Sequence, residues 1–527
     1  MTNQLTVTRP KKSPPKSSVA KVLSGALLGF DGALIEVEAD IKVGLPSLQI
    51  VGMGNKAIDE ARQRVRSAIS NSLLSFPPQK VTINLAPAEL PKDGTHFDLP
   101  IAVGVLVASG QLTHQEVRGC LFAGELALNG DVRPIRGAVL LAEIAARHQA
   151  KYLYLPAQNL PQASLVAGVE VVPVSSLGQL FQVLKGVIPV PNPQKSVKPA
   201  SNRPKRLKTT AIKANAPPTL DSIAGHTQAK RALIIAAAGR HNLLLSGSPG
   251  AGKTMLAQCL SGLLPALTPE EKLQVTKIHS LKGSGRGRIN TRPPFRAPHH
   301  SATLSSIIGG GRIPQPGELS LAHKGVLLLD ELPEYPKTTL EALRQPLEQR
   351  TVSLSRLYGH VTYPADALMV ATMNPCPCGY FGDPSKNCTC SGSQISSYKK
   401  RLSGPLLDRI DMRLNVHKIK YEQIFGSISL QNTQQNKGLM AIKQARFLQK
   451  QRYKRSNFYN AYASLEQINR LFKLSPQAQN IVTNAAASLQ LSTRGCLKVI
   501  RVARTISDIE NSANIEPSHI AEALQYR

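Results

Sequence analysis

The sequence contains no tryptophan, and aromatic residues make up only 4% of it. Recognition of nucleic acid through rows of stacking rings is thereby disfavoured, which leaves phosphate-directed contacts with weak sequence preference. Acidic residues are also scarce: 33 Asp and Glu face 64 Lys and Arg, a formal net charge of +31. An imbalance of that size points to a polyanionic partner, nucleic acid before an anionic membrane surface, with an inert basic surface as the alternative. There are 7 cysteines and four of them crowd one short segment, which excludes a disulfide framework and predicts a reducing, cytoplasmic setting. No apolar run reaches the roughly 18–20 residues that a membrane-crossing helix needs. The start, MTNQLTVTRPKKSPPKSSVAKV, has no apolar stretch of the secretory kind. Residues 1–20 read as a basic disordered tail, with a transit peptide as the alternative.

What is present is enough for more than one core, since 527 residues exceed the size of a single domain. Residues 21–187 alternate short β-rich runs with helices. In KVTINLAP, Val81, Ile83 and Leu85 recur with period two; in AIDEARQRVRSAIS, Ile58, Ala61, Val65 and Ile69 share one helical face. AVLLAEIAARHQA reads as a helix that leads into the strand KYLYLP. An α/β domain with its own core is expected there. Residues 188–217, rich in Pro, Lys, Ser and Asn, read as an extended basic linker. From 218 a second α/β domain begins, expected to run to 420, and residues 421–527 are expected to form a helical domain.

The strongest motif is HNLLLSGSPGAGKTMLAQCL. Gly247, Ser248, Pro249, Gly250, Ala251, Gly252, Lys253 and Thr254 match G-x-x-x-x-G-K-[ST], between an apolar strand and a helix. Such a loop wraps phosphates with backbone N–H groups at a helix N-terminus. Lys253 is expected on the β- and γ-phosphates of ATP, and the Thr254 hydroxyl on Mg2+. GVLLLDELPEY ends an apolar strand in Asp330 and Glu331. An acid at the carboxyl end of a parallel strand serves the Mg2+ shell, and Glu331 is placed to polarise the attacking water. A third apolar strand, ALMVATMN, ends in Asn374, suited to orienting water or sensing the γ-phosphate. In RLSGPLLDRIDMRL, Arg409 lies well past this core, as suits an arginine acting on a neighbouring subunit.

CPCGYFGDPSKNCTC supplies two C-x-C pairs, Cys376 with Cys378 and Cys388 with Cys390. They can close a tetrahedral structural Zn2+ site; free reduced thiols in a tight loop are the alternative. His299 and His300 are adjacent, with no third ligand nearby, and a loop or interface role is expected for them.

Taken in order, these elements resemble an AAA+ ATPase. PFRAPHHSATLSSIIGGGRIPQPGELSLAHKGVLLLDELPE is similar to the magnesium-chelatase-like clade, and MNPCPCGYFGDP with the N-terminal domain resembles the ComM/YifB family. The resemblance covers about 20–187 and 218–525. It implies a P-loop AAA+ core in which Gly247 to Thr254 and Asp330–Glu331 are the Walker motifs, Asn374 is sensor 1 and Arg409 the arginine finger. Arg494, in STRGCLKVIRVAR, takes the sensor 2 role among the ATP-binding residues, with Arg501 the runner-up. It further implies a C-terminal helical lid, a homohexameric ring and a DNA motor that drives branch migration of single-stranded and branched DNA alongside recombination proteins. A ring channel would need basic, flexible loops, for which LKGSGRGRINTR offers Lys282, Arg286 and Arg288, and IIGGGRIPQPGE offers Arg312. A chelatase-like ATPase remodelling a metal-inserting protein partner is the alternative reading.

PKDGTHFDLP resembles the loop in which Lon-type proteases carry their serine, and the N-terminal domain resembles the Lon protease-like, ribosomal S5 domain 2-like α/β fold. Lon-type catalysis needs a serine and a lysine. Here His96 holds the serine position and Val139 aligns with the lysine, so binding or ring assembly is expected of the domain, not cleavage.

Overall fold

The computed structural model describes residues 19–52, 56–191, 218–283, 287–311, 314–356, 359–419 and 433–527. Residues 1–18 of the basic tail and nearly all of the linker lie outside the described residues; Ala20, expected in the tail, is instead the first residue of a strand. Two compact units result: 1–199 with Gly283–Arg288, and 200–282 with 289–527.

The first unit is built on a seven-stranded mixed sheet. Its order is Ser47–Val51, Lys80–Ala86, Ala33–Lys42, Ala20–Ala26, Cys120–Phe122, Tyr152–Pro156 and Glu170–Val174. Lys80–Ala86 runs antiparallel to Ala33–Lys42, with Val81, Ile83 and Leu85 buried, as period two requires. Helix Asp98–Ala108 is apolar around nearly its whole circumference. Such a helix needs cover on every side. It packs on strands Ala20–Ala26 and Ala33–Lys42 and beneath helix Lys56–Asn71, which turns Ile58, Ala61, Val65 and Ile69 inward. The one buried carboxylate at the start of that helix, Asp98, receives Arg64 Nε at 2.7 Å and Nη2 at 3.0 Å. Burial still pushes its pKa up to about 6.

The second unit has a five-stranded parallel sheet in the order Phe295–Arg296, Val326–Leu329, Leu368–Met373, Leu243–Ser246 and Met412–Asn415. The runs VLLL and LMVATM are buried on both faces, which is why they read as unbroken apolar sequence and not as alternation. Leu368–Met373 lies between the strand that feeds the phosphate loop and the strand that leads into Asp330. Helices Thr433–Tyr453, Thr493–Ile509 and Pro517–Leu524 follow. They share one apolar core with the sheet, in which Ile442, Val499, Val502 and Ile506 join Leu233, Ala236 and Leu260. At the amino end of the sheet, Asp366 receives Lys324 Nζ at 2.7 Å and the Tyr462 hydroxyl at 2.5 Å, and Arg240 Nη2 lies at 3.7 Å. Burial alone would raise this carboxyl, but the two cations hold it well below the usual carboxylate range.

Among the described residues, no helix is long and apolar enough to cross a membrane.

Candidate nucleotide site

The phosphate loop leaves strand Leu243–Ser246 and turns into helix Lys253–Leu263. Gly250 and Gly252 take left-handed φ values of 78° and 79°, and this lets the backbone curl before the helix begins. Lys253 Nζ donates to the carbonyls of Gly247 (2.6 Å) and Ser248 (3.0 Å) and to Asn374 Oδ1 (3.1 Å). The ammonium thus sits in the mouth of the loop, where burial lowers its pKa against the pull of Asp330 and Glu331.

Thr254 Oγ1 lies 3.1 Å from Asp330 Oδ2 and 3.3 Å from Oδ1. A hydroxyl and a carboxylate converging beside a lysine form a set of hard oxygen donors that fits Mg2+ next to phosphates. Thr372, one residue short of the end of the middle strand, donates its hydroxyl to Asp330 and accepts the Glu331 N–H at 3.1 Å. Glu331 itself takes a left-handed φ of 54°, and its carboxylate is 53% exposed, turned toward solvent where a water can reach it.

His300 Nδ1 lies 3.7 Å from Glu331 Oε2, and its ring is tilted by 35° against that of His299 with centroids 4.0 Å apart. The pair stands just past strand Phe295–Arg296, and Tyr335 Oη donates to the Pro298 carbonyl at 2.6 Å. Neither the approach of His300 to Glu331 nor the contacts of Thr372 are visible in the sequence. The position of APHHS after a short strand would reveal the first only once the strand order is known.

Arg409 and Arg494 do not meet the phosphate loop of their own chain. With Arg240, Arg350, Lys498 and Arg501 they line a cavity of about 350 Å3. Its wall includes Asn242, Ala367 and Asp411, the residues just before three of the parallel strands, so the cavity lies at the amino end of the sheet. The phosphate loop, Asn374 and Asp330 lie at the carboxyl end, a strand of four to six residues away at about 3.3 Å each. Arg409 pairs with Glu348, while its buried Nε has no partner. Lys498 donates to the Ile410 carbonyl, and burial brings its pKa down to about 8.

The four cysteines come together: their sulfurs all lie within 4.8 Å of one another. Three of the separations are 3.4, 3.6 and 3.6 Å. A tetrahedron of sulfurs around zinc, with bonds of about 2.3 Å, has edges of about 3.8 Å. Backbone N–H groups of Phe381 and Cys378 point at Cys376 Sγ and Cys390 Sγ, at 3.3 and 3.4 Å. The donor set therefore fits a closed site of four thiolates.

Of the basic candidates, Lys282 is exposed at the end of helix Pro269–Lys282. Arg288 is also exposed but belongs to the first unit, where its carbonyl accepts Gln162 Nε2 at 3.0 Å. Arg286 and Arg312 lie outside the described residues. In the first unit, His96 is buried, with Nε2 2.8 Å from the Gly25 carbonyl, and burial brings its pKa down to about 4. Val139 is buried in helix Ala138–Arg147.

Phosphate loop, Asp330, Glu331 and Asn374 on a five-stranded parallel sheet define an ATPase fold of the magnesium-chelatase-like AAA+ class. Residues 219–424 match the family described as magnesium chelatase, subunit ChlI, residues 37–159 its subunit ChlI region, and residues 437–527 its C-terminal region. The chain is 40% identical over 515 residues to competence protein ComM of Haemophilus influenzae, covering 97% of each. It is likewise 40% identical over 515 residues to YifB of Escherichia coli, again with 97% of each covered. With the magnesium-chelatase 67 kDa subunit of Chlorobaculum parvum it shares 30% identity over 157 residues, 29% of this chain and 23% of that one. The chain belongs to the ComM/YifB family.

Proposed function

We propose that the protein is an ATP-hydrolysing ring motor, a homohexamer that moves along DNA and promotes branch migration during recombination of incoming strands. The observation that carries this reading is the match to a competence protein across 97% of both chains. A net charge of +31 is the expected companion of a phosphate-tracking channel. Lys282, Arg286, Arg288 and Arg312 are the proposed DNA contacts.

Within one subunit, Lys253 and the loop N–H groups bind the phosphates. Thr254 and Asp330 supply the oxygens for Mg2+, whose role when bound is to neutralise phosphate charge. Asn374, already on Lys253, orients the γ-phosphate end, and Glu331 draws the proton of the attacking water. Arg409 and Arg494 stand at the other end of the sheet, so a second copy must present them. In a ring, the amino-end cavity of one subunit faces the phosphate loop of the next. Each site is then complete only between neighbours, which ties hydrolysis to subunit movement. Zinc on the four cysteines is proposed as a structural ion. Peptide cleavage is not proposed, since His96 is buried and neutral and Val139 offers no base.

The family matches favour one other reading, an ATPase that remodels a metal-inserting protein partner. The ATPase rate of wild type and Glu331→Gln, with and without single-stranded DNA, separates the two. Stimulation by DNA that vanishes in the variant is expected. A rate indifferent to DNA but raised by a protein partner overturns the DNA-motor reading.

A further inference from the structure

The four-cysteine loop does more than close on itself. It begins two residues after Asn374, and helix Gly392–Lys400, which follows Cys390, brings Tyr398 back onto the Asn374 backbone. Between these ends, Gly379 has a left-handed φ of 85° and lies against the phosphate loop. A Cβ at Gly379 would stand 2.6 Å from Pro249 Cγ and 2.7 Å from Cδ. Further along, Asp383 makes an ion pair with Lys418 at 2.8 Å and accepts the Ser385 N–H and hydroxyl at 2.8 and 2.6 Å. The Ser248 hydroxyl is a further partner of the same carboxylate. Lys418 in turn lies just past strand Met412–Asn415, beside the strand that feeds the phosphate loop. Thus two successive residues of the loop that must wrap the phosphates, Ser248 and Pro249, rest on the segment that the cysteines hold.

The nine-residue stretch between Cys378 and Cys388 is held by Asp383 and Ser385 on Lys418, and at its two ends by the cysteines. Free thiols tie those ends weakly. A tetrahedral metal ion fixes all four sulfurs at once, and binding free energy of that kind is folding free energy. We propose that zinc at Cys376, Cys378, Cys388 and Cys390 is a positioning element of the ATP site: it sets Gly379 and Asp383 as the wall against which Ser248 and Pro249 take their phosphate-binding shape. This rests on the four-thiolate zinc reading above and adds that the metal governs nucleotide affinity. Gly379 and Asp383 are positioning residues, because they act through the phosphate loop and touch no substrate.

The test uses the full chain and reads metal content and nucleotide affinity separately. Metal content is measured on protein purified without chelator, then after stripping with a high-affinity chelator, then after adding back zinc chloride. At each stage the affinity for a fluorescent ATP analogue with Mg2+ is measured, and far-UV circular dichroism follows folding. One zinc per chain is expected, with nucleotide affinity falling about tenfold on stripping, the scale of one hydrogen bond to a charged group, and returning with zinc. Asp383→Asn, which leaves all four sulfurs in place, should keep its zinc and still bind the analogue about tenfold more weakly. Gly379→Ala should do the same through the clash with Pro249. Protein that neither carries nor takes up zinc overturns the metal reading. Zinc that comes and goes with unchanged analogue affinity, or an Asp383→Asn protein with both zinc and full affinity, overturns the coupling and leaves the metal site standing. Hydrogen exchange at residues 247–254 that rises on stripping while circular dichroism holds constant would place the effect at the loop.

Discussion

Arg409 and Arg494 line one cavity at the amino end of the parallel sheet, across the strands from Lys253 and Asp330 at its carboxyl end. The cavity holds several further cations, with Glu348 paired to Arg409. On the proposed function, this pair of arginines serves a phosphate held by a neighbouring copy of the chain. Arg409→Ala should therefore leave nucleotide binding to a dilute, monomeric sample nearly unchanged. In the assembled protein it should lower the hydrolysis rate by roughly 10^3-fold, the scale of a lost arginine finger. Paired binding and turnover measurements check this.

Thr372 holds both acids, donating to Asp330 and accepting from the backbone of Glu331. Thr372→Val preserves the shape of the strand and removes both bonds. Turnover should drop about tenfold, with most of the change in kcat and little in the KM for ATP. Steady-state kinetics at saturating Mg2+ give the split.

The strands under the candidate nucleotide site were the most legible part of the chain in sequence, because the phosphate loop, Asp330 and Asn374 each follow an apolar run that reads as a buried strand. Ser246, Leu329 and Met373 end those runs where the motifs begin. Helix faces such as Ile58, Ala61, Val65 and Ile69 were legible for the same reason of periodicity. Lateral order was not. Nothing local says that Leu368–Met373 intervenes between the other two strands, so the contacts of Thr372 and His300 stayed hidden. The Arg494 position depends on how helix Thr493–Ile509 packs against the amino end of the sheet, a long-range fact that no window of sequence carries. The cysteine loop was visible as a metal pattern, whereas its seat on Pro249 arises from the fold alone.

Stability of the second unit should decline in mild acid. Burial pushes His241 and His323 down to about 3, against an ordinary histidine value near 6.5. Their folded pKa values are depressed, so the unfolded chain binds protons first as pH falls below about 6.5, and each histidine costs up to about 1.4 kcal/mol per pH unit from there toward its folded value. His96 acts the same way in the first unit, between about 6.5 and about 4. Asp98 opposes it: raised to about 6, it contributes stability that is lost as pH rises from about 4 through 6. His323 Nδ1 accepts the Asp366 N–H at 3.0 Å, so the neutral ring is required there. Thermal melts at pH 7 and pH 5 should show a lower midpoint at pH 5, with a smaller difference in His323→Gln.

Asp366 joins Lys324, Arg240 and Tyr462 where the sheet meets the helices. Asp366→Asn leaves two buried cations without their counter-charge, and removing one partner of such a cluster costs about 3–5 kcal/mol. Denaturant unfolding should show that loss, and Asp366→Asn combined with Lys324→Met should recover part of it.

The central claim is that one ATP site is shared between two subunits and that its turnover is driven by DNA. Mixing two inactive proteins tests it: Lys253→Ala lacks a working phosphate loop, and Arg409→Ala lacks the arginine. Mixed rings contain interfaces in which an intact loop meets an intact arginine, so the mixture should regain ATP hydrolysis that single-stranded DNA stimulates. A mixture as inactive as its parts, despite co-assembly shown by mass photometry, would contradict the shared site.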